Sequence, residues 1–126
     1  MQGLHLLGDA RATRNLSNRE GIQNWLTVAV KMSGLSLLGF QAWDLPSHLD
    51  SGPGVSLTAV LVESHACIET WPEHGVICLC FYSCRPWNPE PIVTYFEKYF
   101  GVEEWLTKHL IPRFGPKPVF GVLPSA

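Results

Sequence analysis

Residues whose side chains could carry out a reaction are concentrated in the segment 62–73, with a thiol at Cys84, twenty residues after Ser64. Glu63, Ser64 and His65 are consecutive, so a carboxyl, a hydroxyl and an imidazole lie side by side at the junction of two extended segments. Such groups serve as nucleophiles and as general acids or bases in enzymes. A serine within a strand is usually structural, so the surrounding residues decide whether Ser64 is reactive.

The string Glu63-Ser64-His65, followed by Thr-Trp-Pro-Glu at 70–73, resembles the self-cleavage site of the S-adenosylmethionine decarboxylases. In that family the chain breaks before the serine, which becomes an N-terminal pyruvoyl group. The resemblance therefore implies a single domain over 1–126 that is cut between Glu63 and Ser64, with a pyruvoyl cofactor made from Ser64. It also implies decarboxylation of S-adenosylmethionine for spermidine synthesis, with the pyruvoyl group as the electron sink.

Two further segments extend the resemblance. Gly-Val-Ser at 54–56 matches the family element whose serine assists processing, which assigns that role to Ser56. Phe-Tyr-Ser-Cys at 81–84 is similar to the segment whose cysteine returns a proton to the substrate carbon, which assigns that role to Cys84. On a regular strand, Ser56 and Ser64 would share one face because side chains alternate with a period of two. The candidate substrate-binding residues are His48, Asp50, His65 and Glu73.

Three positions depart from the family pattern. Glu69 stands where the family has a histidine that acts in processing, and a carboxylate is intrinsically a weaker base than an imidazole. Processing could therefore use Glu69, use His65 instead, or fail. Asp50 replaces an aromatic ring that stacks on adenine, and a carboxylate can pair with a cationic substrate such as ornithine or arginine. Asp50 could equally form only a turn with Gly52. Cys80 replaces a family aspartate and so removes a charge.

Two other functions stay open at this point. An uncleaved chain could be a non-catalytic or regulatory relative of the decarboxylases. A metal- or thiol-chemistry site is the other alternative, because Cys78, Cys80 and Cys84 have the same strand parity as His74. Their spacing is not that of the paired cysteines in common zinc sites, so no metal ligand is assigned.

The composition indicates one globular domain. The chain has 126 residues, of which 46% are hydrophobic and 16% charged. So few charges leave apolar surface to cover, which favours a homodimer with the active site near the subunit interface. Nine basic and eleven acidic residues give a net charge of −2 without a basic stripe, which argues against nucleic acid or a membrane as the partner. We expect a cytoplasmic protein with reduced cysteines that binds a small amino-acid substrate.

The hydrophobic pattern predicts the order β-α-β-β-β-β-α-β, and hence an α+β two-layer sandwich with a mostly antiparallel sheet and helices on one face. The first helix is expected over about 18–32, opened by a capping box in which Ser17 caps and Glu20 reaches back. The second is expected over 91–100. Strands are expected over 3–9, 35–43, 55–63, 66–71 and 76–83, and one more after Val102.

Overall fold

The computed structural model describes residues 2–47, 50–115 and 121–122, which form seven strands, two α-helices and one short 3-10 helix. The predicted order of elements is confirmed, and a two-residue strand follows it. The strands are β1 (Gly3–Ala12), β2 (Leu37–Leu45), β3 (Gly54–Leu61), β4 (Ser64–Trp71), β5 (Val76–Ser83), β6 (Val102–Arg113) and β7 (Gly121–Val122), the helices are α1 (Arg19–Met32) and α2 (Pro89–Phe100), and the 3-10 helix is Pro72–His74.

The strands form a single sheet in the order β2-β3-β4-β5-β1-β6-β7, and every neighbouring pair is antiparallel. Three consecutive hairpins join β2 to β5, because short connections favour pairing between strands that follow one another along the chain. The first strand then lies between β5 and β6, in the interior of the sheet. This confirms the predicted α+β class with a mostly antiparallel sheet.

One face of the sheet carries the hydrophobic core. Alternate residues of the central strands are buried on this side, as a period of two requires. Both helices pack their apolar sides against this face. Trp25 of α1 connects the two helices, because the centroid of its ring lies 5.3 Å from that of Tyr95 and 5.5 Å from that of Phe96 in α2. Helices therefore cover one face only, as the sequence predicts. No described helix has the length and apolar character needed to span a bilayer.

The opposite face of the sheet, called the open face below, is covered by none of the described elements. Its side chains are half-buried or exposed, and they include large apolar ones: Trp43 is 64% exposed and Val60 is 53% exposed. Strand register places its polar members in rows across the sheet. They include His5, Asp9, Gln41, Ser56, Thr58, His65, Cys67, Glu69, Cys78, Cys80, Tyr82, Thr107 and His109.

The N-terminus of α1 differs from its prediction by one residue. Asn18, not Ser17, is the cap, and its side chain accepts a hydrogen bond of 2.9 Å from the Gly21 N–H. Asn18 has non-helical dihedral angles, so the helix begins after it, and asparagine caps as well as serine does. The Ser17 hydroxyl instead donates to the Ser51 carbonyl at 3.2 Å. The predicted capping box is therefore wrong.

Candidate functional site

The predicted cleavage site lies in a tight turn. Residues 62–63 connect β3 to β4, and register pairs Ser64 with Leu61 on one side and with Ser83 on the other. The expected strand therefore ends at Leu61, and the chain reverses before Ser64. Because directly paired residues share a face, Ser64 lies on the helix side of the sheet and Ser56 on the open face. The expectation that the two serines share a face is wrong, since it assumed one uninterrupted strand.

The backbone carbonyl of Glu63 has a donor aimed at it. The N–H of Cys84, which follows β5, donates to this oxygen at 3.0 Å. The carbonyl belongs to the peptide bond that is predicted to break, and its oxygen acquires negative charge if a nucleophile attacks its carbon. A preorganised N–H at that position stabilises such charge. The backbone of Cys84 therefore lies beside the bond between Glu63 and Ser64, and the roles predicted for these residues stay predictions.

The side chain of Glu63, like its carbonyl, is held by hydrogen bonds. The residue is only 6% exposed, and its Oε1 accepts a hydrogen bond of 3.1 Å from the Ser36 N–H. Its Oε2 lies 3.1 Å from Nη1 of Arg85, in an ion pair. The Ser36 N–H and, to a smaller extent, the Arg85 guanidinium lower the pKa of Glu63.

Sequence reasoning missed Ser36 and Arg85. The only signal for Arg85 is that a buried acid requires a cation and this arginine directly follows Cys84. Ser36 contributes only its backbone N–H, so its side-chain type carries no signal at all.

Ser56 and Glu69 form a second group. They pair directly across β3 and β4, with Trp43 beyond Ser56 and Cys78 beyond Glu69. Glu69 lies five residues along β4 from Ser64, which corresponds to about 17 Å at the usual rise of a strand. Within one chain, the structure therefore does not bring the two predicted processing residues to the cleavage site.

The candidate substrate-binding residues divide between these groups. Glu73 lies in the 3-10 helix after β4, where its Oε2 accepts a hydrogen bond of 3.2 Å from the Ser47 hydroxyl. Asp50 is exposed in the loop before β3, so both lie at the same end of the sheet as Ser56 and Glu69. His48 lies outside the described residues.

His65 lies on the open face in a cluster of rings. Its ring centroid is 5.3 Å from that of Tyr82, and Tyr82 is 5.1 Å from His5. The guanidinium of Arg113 lies over the Tyr82 ring at 4.7 Å and donates to Nδ1 of His5 at 3.2 Å. Burial, and to a smaller extent the charge of Arg113, lowers the pKa of His5. Sequence reasoning did not single out His5, Tyr82 or Arg113, because they meet only through strand pairing.

The cysteines lie on or beside the open face as free thiols. Cys67 and Cys80 pair directly across β4 and β5, and Sγ of Cys80 lies 3.1 Å from Nε2 of His5. Interaction with the Cys67 thiol lowers the pKa of Cys80. Among the residues that the structure describes, no three potential ligands are arranged to hold a metal ion.

Comparisons with known proteins point to one family. Residues 4–113 match the family model described as S-adenosylmethionine decarboxylase. The chain is 32% identical over 113 residues to an S-adenosylmethionine decarboxylase proenzyme of Persephonella marina, covering 88% of this chain and 74% of that one. It is 31% identical over 85 residues to the proenzyme of Aeropyrum pernix, covering 65% of this chain and only 61% of that one.

The fold is similar to that of a solved relative. The adenosylmethionine decarboxylase of Aquifex aeolicus superimposes with a TM-score of 0.71 at 25% identity, covering 86% of this chain and 87% of that one.

Proposed function

Because this chain belongs to the S-adenosylmethionine decarboxylase family, we propose that it cuts itself between Glu63 and Ser64 and then acts as a pyruvoyl-dependent decarboxylase. The observation that carries the proposal is the hydrogen bond of 3.0 Å from the Cys84 N–H to the Glu63 carbonyl. It places a donor at the oxygen that must accept charge, in a turn directly preceding a nucleophilic hydroxyl.

The bonds that break and form in the proposed self-cleavage lie within Glu63 and Ser64. The Ser64 hydroxyl attacks the Glu63 carbonyl carbon and gives up its proton, and the oxyanion accepts a hydrogen bond from the Cys84 N–H. Collapse of this intermediate breaks the C–N bond, the departing Ser64 nitrogen takes up a proton, and an ester remains between Glu63 and the Ser64 oxygen. Removal of the Ser64 α-proton then expels the Glu63 carboxylate, and the resulting dehydroalanine takes up water and loses ammonia.

The cleaved site fits a pyruvoyl group. Such a group withdraws the electrons of the bond that releases carbon dioxide. Cys84 follows β5 with its backbone N–H on the Glu63 carbonyl, and the family resemblance assigns to its thiol the return of a proton to the substrate carbon. The substrate that family membership favours is S-adenosylmethionine, in polyamine synthesis.

A basic amino acid such as ornithine or arginine is the alternative substrate. Asp50 is exposed in the loop before β3, where a carboxylate can pair with a cationic side chain. An Asp50→Asn variant that loses turnover of a cationic amino acid, while still folding, supports this alternative. Equal turnover by the variant and the parent rules out the pairing.

We propose that the active protein is a homodimer joined through the open face. Exposed Trp43 and Val60 supply apolar surface there, and no described element covers it. The distance of about 17 Å between Ser64 and Glu69 is too great for direct proton transfer within one chain. In a twofold dimer, the end that holds Ser56 and Glu69 in one protomer approaches the cleavage end of its partner. Each site is then completed by two chains.

The experiment that tests self-cleavage is denaturing mass spectrometry of the purified protein beside Ser64→Ala. Two fragments, 1–63 and a 64–126 fragment blocked by a pyruvoyl group, are expected from the parent, and one intact chain from the variant. A parent that stays uncut after long incubation contradicts the proposal. It supports instead a non-catalytic relative, which the presence of Glu69 in place of the family histidine favours.

A further inference from the structure

We infer that Arg85 is a positioning residue for self-cleavage: by holding the buried carboxylate of Glu63, it keeps the Glu63 carbonyl on the Cys84 N–H. The inference rests on the proposed function, because it concerns the bond that is cut there. It assigns to this site a residue that is neither the nucleophile nor a proton carrier.

Glu63 is fixed at three points. Its Oε1 accepts from the Ser36 N–H at 3.1 Å, its Oε2 binds Nη1 of Arg85 at 3.1 Å, and its carbonyl oxygen accepts from the Cys84 N–H at 3.0 Å. The Val62 N–H donates to the Ser36 carbonyl at 2.9 Å, so the segment after α1 holds the turn from the other side. Two chain segments that are distant from the turn in sequence therefore hold it in place.

Cys84 and Arg85 act on the same residue because they are neighbours. One supplies a backbone N–H to the carbonyl of Glu63, and the other supplies a guanidinium to its side chain. Any shift of this segment relative to the turn must therefore stretch both contacts. Together they fix the direction of the carbonyl relative to the donor, which is the geometry that sets the rate of attack by Ser64.

Loss of Arg85 leaves the buried carboxylate without a cation, held only by backbone N–H groups, chiefly that of Ser36. The side chain of Glu63 is 4% exposed, and a charged group so placed must gain a proton or move toward water when its cation is removed. Movement displaces the turn, and with it the carbonyl. A displacement of about 1 Å at a reacting centre can slow a reaction about 100-fold.

Lysine is a partial substitute. It restores a positive charge but lacks the planar guanidinium, whose donors are fixed in direction. The matched control is Arg11, whose side chain is 54% exposed, against 63% for Arg85, and which forms an ion pair of 3.3 Å with Glu104 on the same sheet. Removing Arg11 deletes an arginine of similar exposure from an ion pair whose carboxylate, on Glu104, is 60% exposed and which does not touch the turn.

The test is a time course of cleavage after pulsed cell-free synthesis, with fragment masses as the readout. We expect Arg85→Ala to cut 10- to 100-fold more slowly than the parent, roughly the range expected for a misplaced reacting group. Arg85→Lys should recover part of the loss, and Arg11→Ala should cut at the parental rate. Thermal unfolding of the same variants in the uncleavable Ser64→Ala background should show that all of them fold.

Hydroxylamine separates positioning from the later steps. It attacks the ester, frees the Ser64 fragment and leaves a hydroxamate on Glu63, so it rescues a variant that forms ester but cannot complete elimination. Arg85→Ala should stay slow in hydroxylamine, because it is slow in forming the ester.

Three results overturn the inference. Cleavage of Arg85→Ala at the parental rate overturns this inference but not the proposed function. Full rescue of that variant by hydroxylamine does the same. A parent that neither cuts itself nor yields to hydroxylamine overturns the proposed function, and this inference with it.

Discussion

At the scale of single residues, we expect the rate of the proposed self-cleavage to depend on Glu69 and its partner across the strands. Glu69 pairs directly with Ser56, and the family resemblance implies that it occupies the position of a processing histidine. A carboxylate is an intrinsically weaker base than an imidazole, so it removes the serine α-proton less readily near neutral pH. Because Glu69 stands in place of the histidine, we predict that processing is slow although the other site residues are present.

The substitution Glu69→His should accelerate self-cleavage at neutral pH by at least about 10-fold, because general base catalysis typically contributes 10²–10⁴-fold. The rate is measured from the masses of the fragments over time. Glu69→Gln is the control, since it keeps size and polarity but cannot act as a base, and it should cut more slowly than the parent. Equal rates for all three proteins would show that position 69 takes no part.

Glu63 should make stability depend on pH. Its hydrogen bonds lower its pKa below the ordinary value of 4.5, so the folded state favours the carboxylate. The resulting stability is present above pH 4.5 and is lost as the pH falls through the lower pKa of the folded state. In the Ser64→Ala background, the free energy of unfolding in urea should therefore fall more steeply below about pH 4.5 than it does when Glu63→Gln is added. Identical pH slopes would contradict this account.

At the scale of elements, two local features direct the chain. The two-residue turn between β3 and β4 places the Glu63 carbonyl opposite the Cys84 N–H. The buried hydroxyl of Thr70 ties β4 to the rest: it donates to the Leu16 carbonyl at 2.6 Å and accepts from the Val55 N–H at 2.8 Å. These contacts fix the hairpin to the segment that leads into α1.

The cap of α1 gives a prediction that distinguishes the structure from the sequence pattern. Asn18→Ala should lower the free energy of unfolding by about 1 kcal/mol, because the Gly21 N–H loses its acceptor. Ser17→Ala should cost less than Asn18→Ala, because it removes a hydrogen bond to the Ser51 carbonyl and not the acceptor at the start of the helix. Urea denaturation of the two variants measures both values. A larger loss of stability for Ser17→Ala than for Asn18→Ala would show that Ser17 is the cap after all.

At the scale of the whole molecule, the site residues are separated along the sheet. Glu63, Ser64 and Cys84 lie at one end of the β3–β4 hairpin, whereas Ser56 and Glu69 lie near the other. The open face between the two ends carries exposed apolar side chains. In the proposed dimer, a second chain packed on this face would supply both burial for these side chains and the missing groups for each cleavage site.

The dimer should depend on Trp43. Trp43→Glu places a charge on the open face and should convert the protein to a monomer, because burying an unpaired carboxylate is costly. Val28→Glu is the control, since Val28 is exposed on α1, in the other layer of the molecule. Sedimentation analysis at equal concentrations compares both with the parent. Dimers of Trp43→Glu, or a monomeric parent, would refute this interface.

Shared sites can be detected by complementation. Ser64→Ala and the double variant Ser56→Ala/Glu69→Ala carry different tags and are produced first alone and then together. The double variant should be cut only when the Ser64→Ala chain is present, because that chain donates the intact Ser56 and Glu69. Cleavage of the double variant alone at the parental rate would show that these residues are not required.

The sequence by itself determined the order of the elements, the α+β class and the family. Periods of 3.6 and 2 in the apolar residues are local properties, and so is the string from Glu63 to Glu73. The tertiary structure alone decided which residues meet. Arg85 and the Ser36 N–H reach Glu63 through loop packing, and Tyr82 meets His5 through strand register. The separation of Ser64 from Glu69 depends on where the chain reverses. A turn shifted by one residue would exchange the two faces of a strand, and only the complete set of strand pairings and core contacts fixes its position.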